Sequence, residues 1–208
     1  MAIISNDLFR QNPPEITEKR SCCTIGIAGC GGLGSNVAML LIRAGITNLT
    51  LVDFDSVELN NLNRQFYFQK DIGKLKTAAL KENLLQINPN ATIRRIDERI
   101  NENNLYELFS TCKLIVEAFD TVEAKTMIAQ RFQGAEFADK YLIAASGLAG
   151  IKSANMIHTK RIANNIYICG DFFTESNRET GLLSSRVMVT AAHQANMVLR
   201  IVAGNFKP

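Results

Sequence analysis

The most restrictive feature of the chain is Gly29-Cys30-Gly31-Gly32-Leu33-Gly34, set between an apolar β-rich run, Cys22–Ala28, and Asn36–Arg43. The unbroken Val-Ala-Met-Leu-Leu-Ile of the latter predicts a buried helix, closed by Gly45. Glycines at a strand-to-helix turn let backbone amides approach a phosphate at the positive end of the helix. A glycine-rich turn can also be merely structural, so its surroundings decide. Those surroundings keep alternating. Leu49–Phe54 reads as a strand, Leu75–Ile87 as a helix stopped by Asn88-Pro89, and Ala91–Ile96 as a strand. Asn101–Ser110 is a predicted helix, Leu114–Phe119 a buried strand, Thr121–Phe137 a helix and Tyr141–Ser146 a strand. Ser153–Thr159 and Asn165–Cys169 alternate more weakly and predict an antiparallel extension, and Ser184–Ala203 closes the chain as a helix. The expected fold is α/β and Rossmann-like: a mainly parallel sheet with helices on both faces and a partly antiparallel C-terminal extension. Residues 1–20 read as an arm, 21–208 as a single domain, and the polar stretch around 170–185 as a crossover loop.

Composition removes several chemistries. The 208 residues, 47% apolar and 21% charged, suffice for one sizeable core. Twenty-three Lys and Arg against 20 Asp and Glu, spread along the chain, form no concentrated basic stripe, so nucleic acid is not an expected partner. The longest apolar runs, Val37–Ile42 and Leu114–Phe119, fall short of the roughly 18 residues of a membrane span, and a cytoplasmic protein is expected. Two histidines and five cysteines, with no Cys-x-x-Cys pair, argue against a zinc site, a Ser-His-Asp triad and a disulfide framework.

Asp53 lies nineteen residues after Gly34 at the end of the second predicted strand, near the offset at which an acid takes ribose hydroxyls. The segment from Asp53 through Asp55 to Gln65 then gathers carboxylates, amides and a guanidinium in one loop at the nucleotide end of the sheet. Asn61, Arg64 and Gln65 suit a triphosphate, Arg64 through its planar fork; without the glycines upstream they would read as a solvated surface loop. Lys76 suits phosphate as a point charge, but Lys70 and Lys74 stand nearby and position alone does not choose among the three. Asp120, after the buried strand, offers hard oxygens to magnesium or an ordinary N-cap to the helix that follows. Cys30 and Cys169 read more readily as small buried residues than as nucleophiles.

Taken together, Gly29–Gly34, Asp53-x-Asp55, Asn61-Leu62-Asn63-Arg64-Gln65, Lys76 and Phe119-Asp120-Thr121 resemble the ThiF/MoeB/HesA family, relatives of the ubiquitin-activating enzymes, over most of Ser21–Ala203. Ala144–Gly150 and Tyr167–Asp171 look closest to the short ThiF-like proteins of bacterial thiamine biosynthesis. The resemblance implies an adenylyltransferase that uses ATP and magnesium on the C-terminal glycine of a small ubiquitin-like, ThiS-like sulfur carrier, releases pyrophosphate and works as a homodimer. It assigns the phosphate side of the nucleotide to the loop glycines Gly29, Gly31, Gly32 and Gly34. It makes Asp53 the ribose ligand with Asp55 in support, Asn61, Arg64, Gln65 and Lys76 the phosphate ligands, and Asp120 the magnesium ligand. Arg64, Lys76 and Asp120 would carry the catalysis. Arg10 in the arm resembles an arginine that reaches a partner's phosphates in family dimers, although its spacing from Gly29 is shorter. The chain lacks the two Cys-x-x-Cys pairs of longer members, so folding without zinc is expected. It also has no cysteine in 171–185, leaving Cys169 as the nearest thiol and pointing to a separate sulfur donor protein. An acceptor carboxylate with a reference pKa of about 3.5 arrives ionised and needs no general base, which suits a chain poor in histidine. The alternatives are another acceptor (a molybdopterin carrier, a tRNA-linked carboxylate or a peptide), a non-catalytic nucleotide-binding partner, and an NAD-dependent oxidoreductase, for which the Asn61–Gln65 cluster and Asp120 have no use.

Overall fold

The computed structural model of the chain describes residues 8–19 and 23–208; the rest of the predicted arm and Ser21-Cys22 lie outside them. The strands are β1 (Thr24–Ala28), β2 (Asn48–Val52), β3 (Thr92–Ile96), β4 (Cys112–Glu117), β5 (Tyr141–Ala145), β6 (His158–Ala163) and β7 (Ile166–Gly170). They form one sheet in the order β3-β2-β1-β4-β5-β7-β6, parallel throughout except for the β6–β7 pair. The expected mainly parallel sheet with an antiparallel extension is therefore present.

Side-chain alternation divides the core between two faces. Ile25, Ile27, Leu49, Leu51, Ile143 and Tyr167 pack with α2 (Gly32–Arg43), α3 (Lys76–Ile87) and α6 (Ser184–Val202). Ala28, Val52, Ile115 and Leu142 pack with α4 (Leu105–Leu108) and α5 (Val122–Arg131). Gly26 makes room on the second face, where a Cβ would stand 2.5 Å from the Phe109 ring. In the arm, α1 (Pro14–Lys19) buries Ile16, and the Lys19 ammonium bonds to the Ala203 carbonyl at 3.2 Å. Among the described residues no helix is long and apolar enough to cross a membrane.

α2 begins four residues before the expected Asn36, β4 lies two residues before the expected 114–119, and three further differences each have a local reason. The helix expected over 101–110 contracts to α4, because the Asn101 and Asn104 side chains take the backbone amides that would otherwise start it. The helix after β4 ends at Arg131 instead of running to Phe137. Gly134 turns the chain back, and the Phe132 and Phe137 rings then stack 4.5 Å apart. The strand expected over 153–159 begins only at His158, where pairing with Gly170 becomes available; Ser153 instead caps a short 3-10 turn, Ala154–Met156.

β1 has β2 on one side and β4 on the other, so the chain reverses its direction of progress across the sheet between them. Beyond the carboxyl ends of strands at such a switch point is where open α/β sheets bind ligands.

Candidate active site

The glycine loop occupies this crevice. Gly29 has φ +96°, donates its amide to the Val52 carbonyl at 2.9 Å, and lies so near β4 that a Cβ would sit 2.9 Å from the Ala118 carbonyl oxygen. At Gly34 a Cβ would stand 1.8 Å from the Gly29 carbonyl oxygen, so the first turn of α2 closes directly on the loop. Gly31 and Gly32 face a different neighbour. Their missing side chains keep open a cradle beside Gln65, whose Nε2 is 3.9 Å from the Cβ position of Gly31, and Arg64, whose Cγ is 3.6 Å from that of Gly32.

Asp53 braces the loop from β2: its Oδ2 accepts the Cys30 amide at 2.6 Å and its Oδ1 the Asp55 amide at 2.8 Å. Burial raises the Asp53 carboxyl above its ordinary range, while those two amides and then Lys76 work against the shift. Each oxygen retains a lone pair, which suits it to ribose hydroxyls. The Cys30 thiol is fully buried, and burial together with Asp53 pushes it well above the ordinary thiol range; it is a packing residue.

The Asn61–Gln65 segment is tied to the glycine loop through α2. Asn36 Nδ2 donates to the Gly32 and Arg64 carbonyls at 2.6 and 2.8 Å, and Ser35 Oγ accepts the Phe66 amide at 3.0 Å. Asn61 uses its side chain on its own turn: Oδ1 accepts the Glu58 amide and Nδ2 donates to Asn60 Oδ1. It thus shapes the turn that presents Arg64 and keeps one Nδ2 N–H unspent. Arg64 Nη1 bonds to Asn63 Oδ1 at 2.8 Å and more loosely to the Asn60 carbonyl, leaving most of its fork unspent. Gln65 is buried, and its Oε1 has no partner.

The structure also separates the three lysines. Lys74 pairs with Glu82 and Asp71, and Lys70 lies 5.9 Å from the Phe68 ring centre. Lys76 is buried at the start of α3 with its ammonium 2.8 Å from Asp55 Oδ2, so it joins the Asp53–Asp55 group. Tyr67 strengthens the junction by donating its hydroxyl to the Cys30 carbonyl at 2.7 Å.

Asp120 follows β4 on the same side of the sheet and is exposed. It is not the N-cap that one reading allowed; Thr121 Oγ1 takes the Ala124 amide and caps α5. Among the described residues no group of three or more His, Cys, Asp and Glu could hold a metal ion. Asp120 nonetheless offers the single carboxylate that magnesium commonly takes from a protein when phosphate oxygens and water complete its shell.

Two sequence candidates stand apart from the cradle. Cys169 is fully buried and desolvation pushes its thiol up to about 12, so it matches the core-residue alternative and not a reactive thiol. Arg10 is exposed on the arm, and the adjoining Asn12 Nδ2 bonds to the Ala44 carbonyl at 2.7 Å, at the far end of α2 from the glycines.

Sequence reasoning missed two buried ionic groups at this end of the sheet. Glu117, 1% exposed, pairs with Lys125 at 2.7 Å. A carboxylate inside the apolar run 114–119 was the available signal. Asp171 and Arg186, both buried and paired side chain to side chain, close the two ends of the predicted crossover loop. Burial alone would raise the Asp171 carboxyl, but the amides of Thr174 and Phe173, the Thr174 hydroxyl and the Arg186 guanidinium hold it below its ordinary value.

Several known proteins are similar to this chain. The molybdopterin-synthase adenylyltransferase of Escherichia coli is 27% identical over 187 residues, covering 88% of this chain and 74% of that protein. The tRNA threonylcarbamoyladenosine dehydratase of Haemophilus influenzae is 38% identical over 108 residues, 51% of this chain and 40% of its own length. The sulfur carrier protein adenylyltransferase of Thermus thermophilus is 29% identical over 122 residues, 58% of this chain and 45% of its own. Against these last two the match spans less than half of the relative. In three dimensions, E. coli tRNA N6-threonylcarbamoyladenosine dehydratase in complex with ATP shares the fold with a TM-score of 0.81 at 19% identity, covering 96% of this chain and 92% of that one. The family model described as the ThiF family matches residues 7–208, nearly the whole length, and the chain belongs to the ThiF family.

Proposed function

We propose that this protein binds ATP in the glycine cradle and adenylates the C-terminal carboxylate of a small ubiquitin-like sulfur carrier. The supporting observation is the open space over Gly31 and Gly32, walled by Arg64 and Gln65, with Lys76 held nearby by Asp55. An acceptor carboxylate oxygen attacks the α-phosphorus, the bond to the β-phosphate oxygen breaks, and its electron pair leaves with pyrophosphate. No proton moves, because the carboxylate arrives ionised. The chief obstacle is repulsion between two anions, so Arg64 and Lys76 act by position and charge. Magnesium, held by Asp120 and the phosphates, would add further charge neutralisation.

A ThiS-like carrier of thiamine biosynthesis is the proposed acceptor, with sulfur delivered by a separate protein. The proposed assembly is a homodimer in which Arg10 serves the partner's site. In its own chain the arm is pinned at Asn12 beyond the end of the 12-residue α2, roughly 18 Å of helix from the cradle, which supports a role for Arg10 toward another copy. A tRNA-linked carboxylate is a second acceptor class, supported by the 38% identity with the tRNA dehydratase. ATP–pyrophosphate exchange tests both. Exchange that requires a recombinant carrier ending in Gly-Gly supports the first; exchange driven by tRNA carrying a carboxylate-modified base supports the second; NADH binding without exchange overturns both.

A further inference from the structure

Beside the cradle, beyond the ends of β4 and β5, Glu117 and Lys125 form a small ionic knot to which neither the motifs nor the mechanism above gives a task. Glu117 is almost wholly buried, and both of its oxygens accept hydrogen bonds. Oε1 accepts the Phe119 amide at 2.7 Å and the Lys125 ammonium at 2.7 Å; Oε2 accepts the Ala145 amide at 3.3 Å. Its backbone carbonyl takes Gln194 Nε2 from α6 at 2.9 Å, and the same nitrogen reaches the Ile143 carbonyl at 3.1 Å. One carboxylate therefore joins the ends of two parallel strands to α5, with α6 attached through the backbone behind it.

Lys125 is the less satisfied member. An ammonium has three N–H donors, and two are spent, on Glu117 and on the Ala145 carbonyl at 3.1 Å. Its side chain is 28% exposed, against 1% for Glu117. The remaining donor is thus unspent, on a partly exposed ammonium that sits at the carboxyl ends of β4 and β5, five residues after Asp120. Two backbone amides bond to the buried carboxylate and Lys125 supplies its counter-charge, which spends only part of the ammonium's hydrogen-bonding capacity. A compact cation with one free donor, locked in place by a buried anion, is suited to hold an incoming carboxylate without first reorganising.

We infer that Lys125 is a substrate-contacting residue on the acceptor side, its free N–H binding the terminal carboxylate of the acyl acceptor, and that Glu117 is the positioning residue that aims it. This inference rests on the adenylation proposed above. It divides the mouth between nucleotide, held by Arg64, Gln65 and Lys76, and acceptor, held by Lys125 between the strand ends.

The test measures binding of two probes, a recombinant ubiquitin-like sulfur carrier ending in Gly-Gly and the same carrier as its C-terminal amide, to the wild type, Lys125→Met, Lys125→Arg and Glu117→Gln in the presence of a non-hydrolysable ATP analogue. Wild type is expected to prefer carboxylate over amide about tenfold, the scale of one charge-assisted hydrogen bond. Lys125→Met should erase that preference while retaining affinity for the ATP analogue, Lys125→Arg should restore part of it, and Glu117→Gln should weaken it. Preference undiminished in Lys125→Met overturns the inference. Loss of nucleotide affinity in that variant also overturns it, since the residue would then be structural or nucleotide-facing. Carrier-dependent pyrophosphate exchange by wild type is measured in parallel: exchange with the preference unchanged by Lys125→Met sinks the Lys125 assignment alone, whereas no exchange sinks the adenylation proposal and this inference with it.

Discussion

Arg64 shows how a residue's chemistry and its placement contribute separately. Its guanidinium suits phosphate by type alone, but only the bond from Asn36 to its backbone carbonyl sets it over Gly32. Because the side chain is partly exposed and its own bonds are to the neighbouring Asn60 and Asn63, Arg64→Ala should fold with an unchanged melting temperature and lose pyrophosphate exchange by on the order of 10²–10³. Asp120→Ala, which removes an exposed carboxylate and leaves the Thr121 cap intact, should likewise keep its stability and lose exchange, with a higher magnesium requirement for any residue of activity. Near-wild-type exchange in either variant would remove that residue from the mechanism. Lys76 was one of three equivalent lysines in the sequence and becomes distinct through Asp55, which stands 21 positions away in the chain. Asn61 had a suitable amide at a suitable spacing, and its own turn takes Oδ1 and one of the two Nδ2 donors. Local hydrogen-bond competition of this kind is invisible in a one-dimensional pattern.

Among elements, the segment 171–183 is held chiefly at its base. Asp171 Oδ1 accepts the Phe173 and Thr174 amides, its Oδ2 takes Arg186, and Arg186 Nη1 donates to the Lys152 and Ser153 carbonyls at 2.6 and 2.9 Å. Gly147 has to remain glycine for this arrangement, since a Cβ there would stand 2.1 Å from Asp171 Oδ1. Arg186→Met leaves a buried carboxylate unpaired and should cost about 3–5 kcal/mol in chemical denaturation. A double variant with Asp171→Asn, which removes the charge but keeps an Oδ1 acceptor for the Phe173 and Thr174 amides, should recover part of that loss, and a loss that the second substitution leaves in place would show that the unpaired charge is not the cause. The strands and the long helices were legible in the sequence, because a parallel sheet covered on both faces needs continuous apolar strands. The short elements were not. Residues 101–110 and 132–137 carry helix-compatible residues, but asparagine side chains and a stacked phenylalanine pair decided their course.

For the whole molecule, two tests concern assembly and pH. If Arg10 serves a partner's site, Arg10→Ala and Asp120→Ala subunits, each inactive alone, should regain exchange when mixed, since one composite site would carry both intact residues; mixtures that stay inactive would confine Arg10 to the arm. Burial, reinforced by His158, lowers the pKa of His193 from its ordinary 6.5, and the ring meets the Thr159 hydroxyl at 3.0 Å. The folded form therefore resists a proton that the unfolded chain accepts. The stability this contributes is complete above about pH 6.5 and is lost as the pH falls toward the folded value. Wild-type thermal stability should decline through that window, and His193→Gln should flatten part of the decline; an unaltered slope would show that other groups cause it. The sequence by itself determined the family, the mainly parallel sheet with its antiparallel extension and the glycine turn after the first strand, because periodicity and glycine placement act over a few residues at a time. Only the tertiary structure decided which lysine joins the site, that Thr121 and not Asp120 caps α5, and that Glu117–Lys125 and Asp171–Arg186 hold the mouth together. Asp55 and Lys76 meet across 21 positions and Asp171 and Arg186 across 15, while the cap and the Glu117–Lys125 pair depend on how the chain turns from β4 into α5. In each ion pair at least one member is buried, where a charge without a partner is costly.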